Sequence, residues 1–179
     1  MGKKIIVIST SLRADSNSDA LAKAFAEGAK EAGNEVEYVT LRGKKIAFCA
    51  GCLACQKAGH CVINDDAIEI ERKVCEADAV VFATPIYYYE MSGQMKTLID
   101  RMNALFSKNY HFREVYILTT AADSEEWVPD RAVSGLQGWI DCFENVEMKG
   151  SVFCGGVGGP GAIKGSAKLQ EAYILGKNA

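Results

Sequence analysis

The sequence is poor in the residues and patterns that mark several large classes of protein. Its 179 residues include three prolines and two histidines, and the basic residues are scattered, with no run of four or more like charges. The formal net charge is −3, so there is no sign of the basic patch that nucleic-acid binding requires. The first apolar run, Ile5 to Ile8, is too short for a signal sequence or a membrane span. We therefore expect a cytoplasmic protein that binds neither nucleic acid nor membrane.

Several well-known site signatures are missing as well. The loop after the first apolar run contains neither the G-x-G-x-x-G pattern of dinucleotide-binding folds nor the Gly-Lys-Ser/Thr of a P-loop. No Ser-His-Asp or Cys-His set is recognisable. We therefore expect no catalytic nucleophile and no acid–base pair in this chain. If the protein is an enzyme, a cofactor supplies the chemistry.

Apolar runs alternate with helical patterns along the whole chain. Strands are expected at 4–10, 35–40, 77–84, 114–120 and 146–154, and helices at 16–32, 65–75, 94–106 and 127–143, with a last helix ending near 175. Pro85 is expected to end the third strand. Five such units, with 49% apolar residues, predict a single domain, residues 1–179, built on a doubly wound parallel α/β sheet. In the five-stranded order 2-1-3-4-5, cofactors bind between the ends of the first and third strands.

A polar loop follows the first strand and runs directly into a helix. It reads Ser9-Thr10-Ser11-Leu12-Arg13-Ala14-Asp15-Ser16-Asn17-Ser18. Phosphate binds where hydroxyls, amides and a cation converge on the positive end of a helix, so this loop predicts a phosphate site. Ser16 or Ser18 could also be a plain N-cap. A second glycine-rich run, residues 155–161, is compatible with a phosphate cradle, a flexible turn or a subunit contact.

Two further loops follow the third and fourth strands. The first reads Thr84-Pro85-Ile86-Tyr87-Tyr88-Tyr89-Glu90-Met91-Ser92-Gly93, and the second reads Thr119-Thr120-Ala121-Ala122-Asp123. Three tyrosines suit a flat aromatic ligand, although they could equally cover the sheet edge or an oligomer contact. Because the ends of these strands and of the first strand are neighbours in the predicted sheet, the three loops together predict a site for a mononucleotide that carries a flat ring, such as a flavin.

These motifs resemble those of the NADPH-dependent FMN reductase family, whose fold is flavodoxin-like. The resemblance rests on S-x-R-x-x-S-N-S after the first strand, T-P-I-Y-Y-Y after the third, and K-x-x-x-D-R at Lys96, Asp100 and Arg101. It implies that the protein binds FMN, uses NAD(P)H as co-substrate and forms a homodimer or homotetramer. It assigns the FMN phosphate to Ser9, Ser11, Arg13, Ser16, Asn17 and Ser18, and the ring and ribityl chain to Pro85, Ile86, Tyr87, Tyr88 and Tyr89. By position, Thr119, Thr120, Ala121 and Asp123 complete the expected site.

Four of the seven cysteines lie close together in a loop at 41–64, and they are Cys49, Cys52, Cys55 and Cys61. Such a set can hold a [4Fe–4S] cluster or a structural zinc ion, or it can remain as reduced thiols without a metal. The spacing resembles that of the iron–sulfur flavoproteins, a branch of the same family, which implies the cluster. The other three cysteines fall within regular elements and are expected to be small buried hydrophobic residues.

Two functions are therefore expected, and a third stays open. The main expectation is an FMN-dependent NAD(P)H oxidoreductase that passes electrons to a quinone, a free flavin, or an azo or nitro compound. The alternative is an iron–sulfur electron carrier that relays single electrons between a ferredoxin and the flavin through the four cysteines. The third is a flavodoxin-like module that only binds or regulates. The final electron acceptor and the choice between NADH and NADPH have no signal in the sequence.

Overall fold

Six strands form the sheet at the centre of the structure, a computed structural model that describes residues 2–179. They are β1 (Lys4–Ser9), β2 (Glu35–Thr40), β3 (Ala79–Tyr87), β4 (Glu90–Met91), β5 (Glu114–Thr120) and β6 (Glu147–Cys154). Five strands are parallel, in the order β2-β1-β3-β5-β6, and β4 pairs antiparallel with the end of β3. The predicted doubly wound, flavodoxin-like sheet is thereby confirmed, with one short hairpin strand added to it.

Helices cover both faces of this sheet. They are α1 (Asn17–Glu31), α2 (Ala54–Ala58), α3 (Asp66–Glu76), α4 (Gly93–Arg101), α5 (Asp130–Ile140) and α6 (Ala167–Lys177). One core lies under α1 and α6, and the other lies under α3, α4 and α5. In β1, Ile5 and Val7 enter the first core while Ile6 and Ile8 enter the second, which explains why this strand is apolar without interruption. None of the helices within residues 2–179 is long and apolar enough to cross a bilayer.

The third strand differs from its predicted length. β3 continues through Pro85 to Tyr87, so the prediction that Pro85 ends it was wrong. Pro85 is the last residue of β3 that pairs with β5, opposite Thr120. The two residues after it pair with β4 instead. Because the ladder changes partner at Pro85, the missing N–H of proline is tolerated there.

The ends of three helices also differ from the prediction. α4 ends at Arg101, and the chain continues as a 3-10 helix, Met102–Ser107. α5 begins at Asp130 rather than at Trp127. α6 ends at Lys177 rather than near 175, and it begins at Ala167 because Ser166 caps it, its hydroxyl accepting the N–H of Lys168. The chain between β6 and α6 is therefore a long loop, which lies beside α1.

Two glycines allow α1 and α6 to pack backbone against backbone. A Cβ atom at Gly28 would lie 2.0 Å from the carbonyl oxygen of Tyr173, and one at Gly176 would lie 2.0 Å from the carbonyl oxygen of Phe25. No side chain fits at either position without separating the helices. This close crossing fixes α6 against α1, and α1 in turn begins at the carboxyl edge of the sheet.

We expect the substitution Gly28→Ala to destabilise the protein by about 1–3 kcal/mol, because the added methyl group overpacks the crossing. Gly138→Ala on α5 is the matched control, since a Cβ there meets nothing within 4 Å. That substitution should stabilise the helix by roughly 0.5–1 kcal/mol. Thermal unfolding of both variants measures the difference. A Gly28→Ala variant as stable as the wild type would contradict the close approach.

Candidate functional site

Loops after β1, β3 and β5 meet at the carboxyl edge of the sheet, where the strand order reverses. With the loop after β6, they enclose a cavity of about 170 Å³. Its lining residues are Ser11, Arg13, Ser16, Asn17, Pro85, Ile86, Tyr87, Thr120, Ala121, Ala122, Val157 and Gly158. The predicted convergence of three loops on one site is therefore present in the structure.

The loop after β1 makes one end of this cavity suitable for an anion. Ser16 caps α1, since its Oγ accepts the N–H of Asp19 at 3.4 Å and lies 3.1 Å from the Oγ of Ser18. The first amides of α1 have no acceptor within the helix and carry partial positive charge. The hydroxyl of Ser11 and the guanidinium of Arg13 stand at the same end. Hydroxyls, free amides and one cation are the donors that a phosphate group requires.

A carboxylate in the first turn of α1 has its charge neutralised. Asp19 forms an ion pair with Lys23 at 2.8 Å and accepts the hydroxyl of Tyr38. Burial alone would raise the pKa of Asp19, but the hydrogen bonds from Lys23 and Tyr38 hold that pKa below its usual value. The carboxylate is therefore ionised and paired, and its repulsion of an anion bound at the start of α1 is reduced.

The side chain of Asn17 holds the loop after β6 instead of facing the cavity with free donors. Its Nδ2 donates to the carbonyls of Val157 at 2.7 Å and Gly159 at 2.9 Å. Its Oδ1 accepts the N–H of Ile163 at 3.2 Å. The backbone N–H of Asn17 is then the group left for an anion. The glycine-rich run of residues 155–161 is thus an ordered wall of the cavity, tied to α1.

A buried network of three hydroxyls connects the loop after β1 with the start of α4. The Oγ1 of Thr10 donates to the carbonyl of Ala83 at 3.0 Å and lies 3.2 Å from the Oγ of Ser92. The N–H of Ser92 donates to the Oγ1 of Thr84 at 3.0 Å, and its Oγ caps α4. These residues hold the ends of β1 and β3 in register. The sequence offered no signal for this role, because it shows a hydroxyl without showing its partner.

A second cavity of about 250 Å³ adjoins the first and is mostly apolar. Its lining residues are Ile86, Tyr88, Tyr89, Ala121, Ala122, Asp123 and Val128. Tyr88 and Tyr89 both have positive φ, 51° and 64°, which is uncommon for bulky residues. The ring of Tyr89 packs on Trp127 with centroids 4.9 Å apart, while Tyr88 is 97% exposed. Together the two cavities have the size of a small-molecule site, about 300–1,000 Å³, with one polar end and one flat apolar end.

The four clustered cysteines line a separate cavity of about 310 Å³. Cys55 is buried, Cys61 is partly exposed, and Cys49 and Cys52 are exposed. Within residues 2–179, no group of three or more His, Cys, Asp or Glu side chains is close enough to hold a single metal ion. A [4Fe–4S] cluster arranges its thiolates around a cube, so its ligands stand farther apart than the four sulfurs of a zinc site. A cavity lined by all four thiols offers the type and number of ligands that such a cluster needs.

Arg101 closes this cysteine cavity from the end of α4. Its side chain has no exposed surface, and it pairs with both carboxylate oxygens of Asp65, at 2.6 and 2.9 Å. It also donates to the carbonyls of Ala47 at 2.8 Å and Ile63 at 3.0 Å. Burial opposes the charge of Arg101, but the hydrogen bonds and charge of Asp65 hold its pKa above the ordinary value.

Comparison with known proteins assigns the family. Residues 3–153 match the family model described as NADPH-dependent FMN reductase. The chain belongs to this family. An iron–sulfur flavoprotein from Methanosarcina thermophila is 30% identical over 155 residues, which cover 86% of this chain and 81% of that protein. The resemblance seen in the motifs is thereby confirmed.

Other relatives match over a shorter stretch or in fold alone. An iron–sulfur flavoprotein from Archaeoglobus fulgidus is 42% identical over 99 residues, which cover 55% of this chain and 45% of that protein. The chain thus spans about half the length of the first curated relatives that it matches. The solved NAD(P)H:quinone oxidoreductase from Methanothermobacter marburgensis has a TM-score of 0.75 at 18% identity, with 99% of both chains covered. That likeness shows the fold.

Most residues that the sequence predicts to bind FMN line one of the two joined cavities, but three do not. Ser9, Ser18 and Thr119 are buried beneath the cavities. Ser9 is fully buried, and the Oγ1 of Thr119 donates to the carbonyl of Val152 at 3.4 Å. Four lining residues were not among the predicted site residues, and they are Ala122, Val128, Val157 and Gly158. For the last two, the glycine-rich run was the available signal.

Gly155 allows the loop after β6 to touch the loop after β5. A Cβ atom at Gly155 would lie 2.6 Å from the carbonyl oxygen of Asp123 and 2.6 Å from the Cα of Ser124. We expect Gly155→Ala to push the loop after β5 away from the cavity and to weaken FMN binding about tenfold, roughly 1.4 kcal/mol. Gly159→Ala is the control, since a Cβ there meets nothing within 4 Å. Fluorescence titration of the flavin-free protein with FMN measures both, and equal affinities would refute the role of this contact.

Proposed function

We propose that this chain is an FMN-dependent NAD(P)H oxidoreductase that passes electrons from a nicotinamide, through the flavin, to a small-molecule acceptor. The acceptor class is a quinone, a free flavin, or an azo or nitro compound. The observation that carries the proposal is the pair of joined cavities at the reversal of strand order. The first is polar and lies against α1, and the second is mostly apolar and lies against the tyrosine turn (Tyr88 and Tyr89). Membership of the family supports FMN as the cofactor and a nicotinamide as the reductant.

Separate groups of residues are assigned to the phosphate and to the ring of FMN. We assign the phosphate to the hydroxyls of Ser11 and Ser16, the guanidinium of Arg13 and the first amides of α1. The flat ring is assigned to the second cavity, against Ile86 and the tyrosine turn. FMN, when bound, supplies the hydride and electron chemistry, and the chain orients the ring and shields one of its faces from water.

The proposal requires no catalytic side chain. Apart from Arg13, Asp123 and the tyrosines, the residues that line the two cavities have no ionisable side chain. Arg13 stands at the phosphate end, and Asp123 lines the ring end. Neither lies in a set with a histidine, cysteine or lysine that would make it a nucleophile or half of an acid–base pair. The rate should therefore depend on how the ring and the nicotinamide are positioned.

Anaerobic reduction by nicotinamide tests this function. We expect the oxidised flavin bands of the protein to bleach after NADPH or NADH is added, and to return when a quinone or azo dye is supplied. Chemical reduction by dithionite is the control, because it shows that the bound flavin can be reduced. Flavin that dithionite bleaches but neither nicotinamide reduces would contradict the oxidoreductase assignment.

The phosphate assignment predicts a difference between two flavins. Arg13→Gln removes the cation at the phosphate end, so we expect FMN to bind about tenfold more weakly, a modest loss because this exposed charge is screened by solvent. Riboflavin has no phosphate, and its affinity should not change. Arg13 also donates to the carbonyl of Gly158 at 3.1 Å. If both affinities fell equally, Arg13 would be holding that loop rather than the phosphate.

A second candidate function is favoured by the cysteine cavity. We propose that Cys49, Cys52, Cys55 and Cys61 hold a [4Fe–4S] cluster that relays single electrons between a ferredoxin and the flavin. The observation in its favour is that all four thiols line one cavity, and the names of the curated relatives agree with it. Turnover with NADPH favours the first function, whereas a stable flavin semiquinone without NADPH turnover favours the second.

Cysteine substitution tests the second candidate separately from the first. We expect Cys61→Ser to lower the iron content of anaerobically purified protein and to leave its FMN content unchanged, because the cysteine cavity shares no lining residue with the other two. Cys142→Ser is the matched control, because Cys142 lies outside the loop and is exposed. The expectation that the other three cysteines are buried was wrong for Cys142 and for Cys75, which is partly exposed, and holds for Cys154. Iron that stays at the wild-type level in Cys61→Ser would remove Cys61 from the ligand set.

We also propose that the protein assembles as a homodimer or homotetramer. Leu12 is 50% exposed and Phe48 is 82% exposed, and both line a groove of about 580 Å³ beside the start of α4. Exposed apolar side chains grouped in this way are typical of interaction surfaces. Because Leu12 belongs to the loop after β1, an assembly through this groove would lie next to the proposed phosphate site.

A further inference from the structure

We propose that Arg101 is a positioning residue for the four-cysteine cavity, which ties the two ends of the cysteine loop together and offers its Nε–H to the sulfur of Cys61. The inference rests on the second candidate function, because it concerns the residues that surround the proposed cluster. Arg101 is not itself a ligand in this arrangement. It determines how firmly the ligands are held and which charges surround them.

Arg101 bridges the chain before the first cysteine and the chain after the last. Its Nη1 donates to the carbonyl of Ala47 at 2.8 Å, and its Nη2 donates to the carbonyl of Ile63 at 3.0 Å. Both nitrogens also bind the carboxylate of Asp65. All four clustered cysteines lie between residues 47 and 63. One planar guanidinium on a core helix therefore closes the loop, a geometry that the single ammonium of lysine cannot reproduce.

The fifth donor of this guanidinium is unpaired. Four of its N–H groups bind oxygen, but the Nε is buried and has no hydrogen-bond partner among residues 2–179. A buried donor without an acceptor is unfavourable. Arg101 and Cys61 line the same cavity. In the 3-10 helix that follows α4, the Nδ2 of Asn103 donates to the Sγ of Cys55 at 3.3 Å. Asn103 thus supplies one donor to a sulfur of this cavity, and the Nε–H of Arg101 is the second donor in the proposed arrangement.

N–H donors beside sulfur suit a negatively charged occupant. A thiolate bound to iron accepts hydrogen bonds better than a neutral thiol, so the Nε–H of Arg101 would stabilise it, while Asp65 balances the charge of the guanidinium. Asp100, a carboxylate that also lines the cavity, is paired with Lys96 at 2.6 Å. Hydrogen bonds to cluster sulfurs are among the factors that set the reduction potential. Arg101 should therefore both retain the cluster and raise its potential.

The test uses the full chain, reconstituted anaerobically with iron and sulfide. We expect Arg101→Lys to release iron to a ferrous chelator roughly 10- to 100-fold faster than the wild type, the range found when partners of metal ligands are lost. Its cluster potential, followed by electron paramagnetic resonance, should be lower, and its FMN content unchanged. Asp65→Asn is the second variant, since asparagine still caps α3 but leaves Arg101 without its counter-charge. Arg72→Lys is the matched control, an exposed ion pair with Glu76 on α3.

Iron release and potential equal to the wild type in Arg101→Lys, with FMN retained, would overturn the proposal. A wild type that takes up no iron overturns the second candidate function, and amide hydrogen exchange of the metal-free chain then decides the role of Arg101. Faster exchange across residues 47–63 in Arg101→Lys than in Arg72→Lys would support the role of Arg101 in tying the two ends of the cysteine loop together. Equal exchange in the two variants overturns it.

Discussion

The pairing of β1 with β2 on one side and β3 on the other is the constraint on which the rest of the structure depends. Because the chain leaves β1 for one face of the sheet and β3 for the other, the loops above them separate. The N–H of Thr10 donates to the carbonyl of Ala83 at 2.9 Å, and this bond fixes the position at which the loops after β1 and β3 separate. The hydroxyl network around Ser92 and the glycine-rich loop then enclose the gap. The proposed flavin site is therefore a consequence of topology, with its polar end formed by the start of α1.

Two arginines illustrate how the same side chain is used in opposite ways. Arg13 is exposed, and its side chain makes one hydrogen bond, to the carbonyl of Gly158, so its guanidinium is largely free to bind an anion. Arg101 is fully buried and has four of its five N–H groups bound to oxygen. The exposed guanidinium of Arg13 can bind and release a ligand, whereas the guanidinium of Arg101 is a fixed part of the folded structure. The proposed flavin site and the cysteine loop differ in the same way.

The sequence predicted the features that are local. The apolar run of β1, the polar loop before α1 and the spacing of the four cysteines are each visible within about twenty residues, and the strand order follows from general rules for such sheets. Features that depend on distant partners were not predictable. The amide of Asn17 binds a loop some 140 residues later in the chain, and Arg101 reaches back to residue 47. The continuation of β3 past Pro85 depends on β4, which is too short to give a pattern.

We propose that FMN lies in the two joined cavities at the carboxyl edge of the sheet. A crystal structure of the protein with FMN bound is the decisive measurement. We expect the phosphate against the start of α1, within hydrogen-bond distance of Ser11 and Ser16, and the ring against Ile86 and the tyrosine turn. FMN found in the groove beside Phe48, or with its phosphate away from α1, would contradict it.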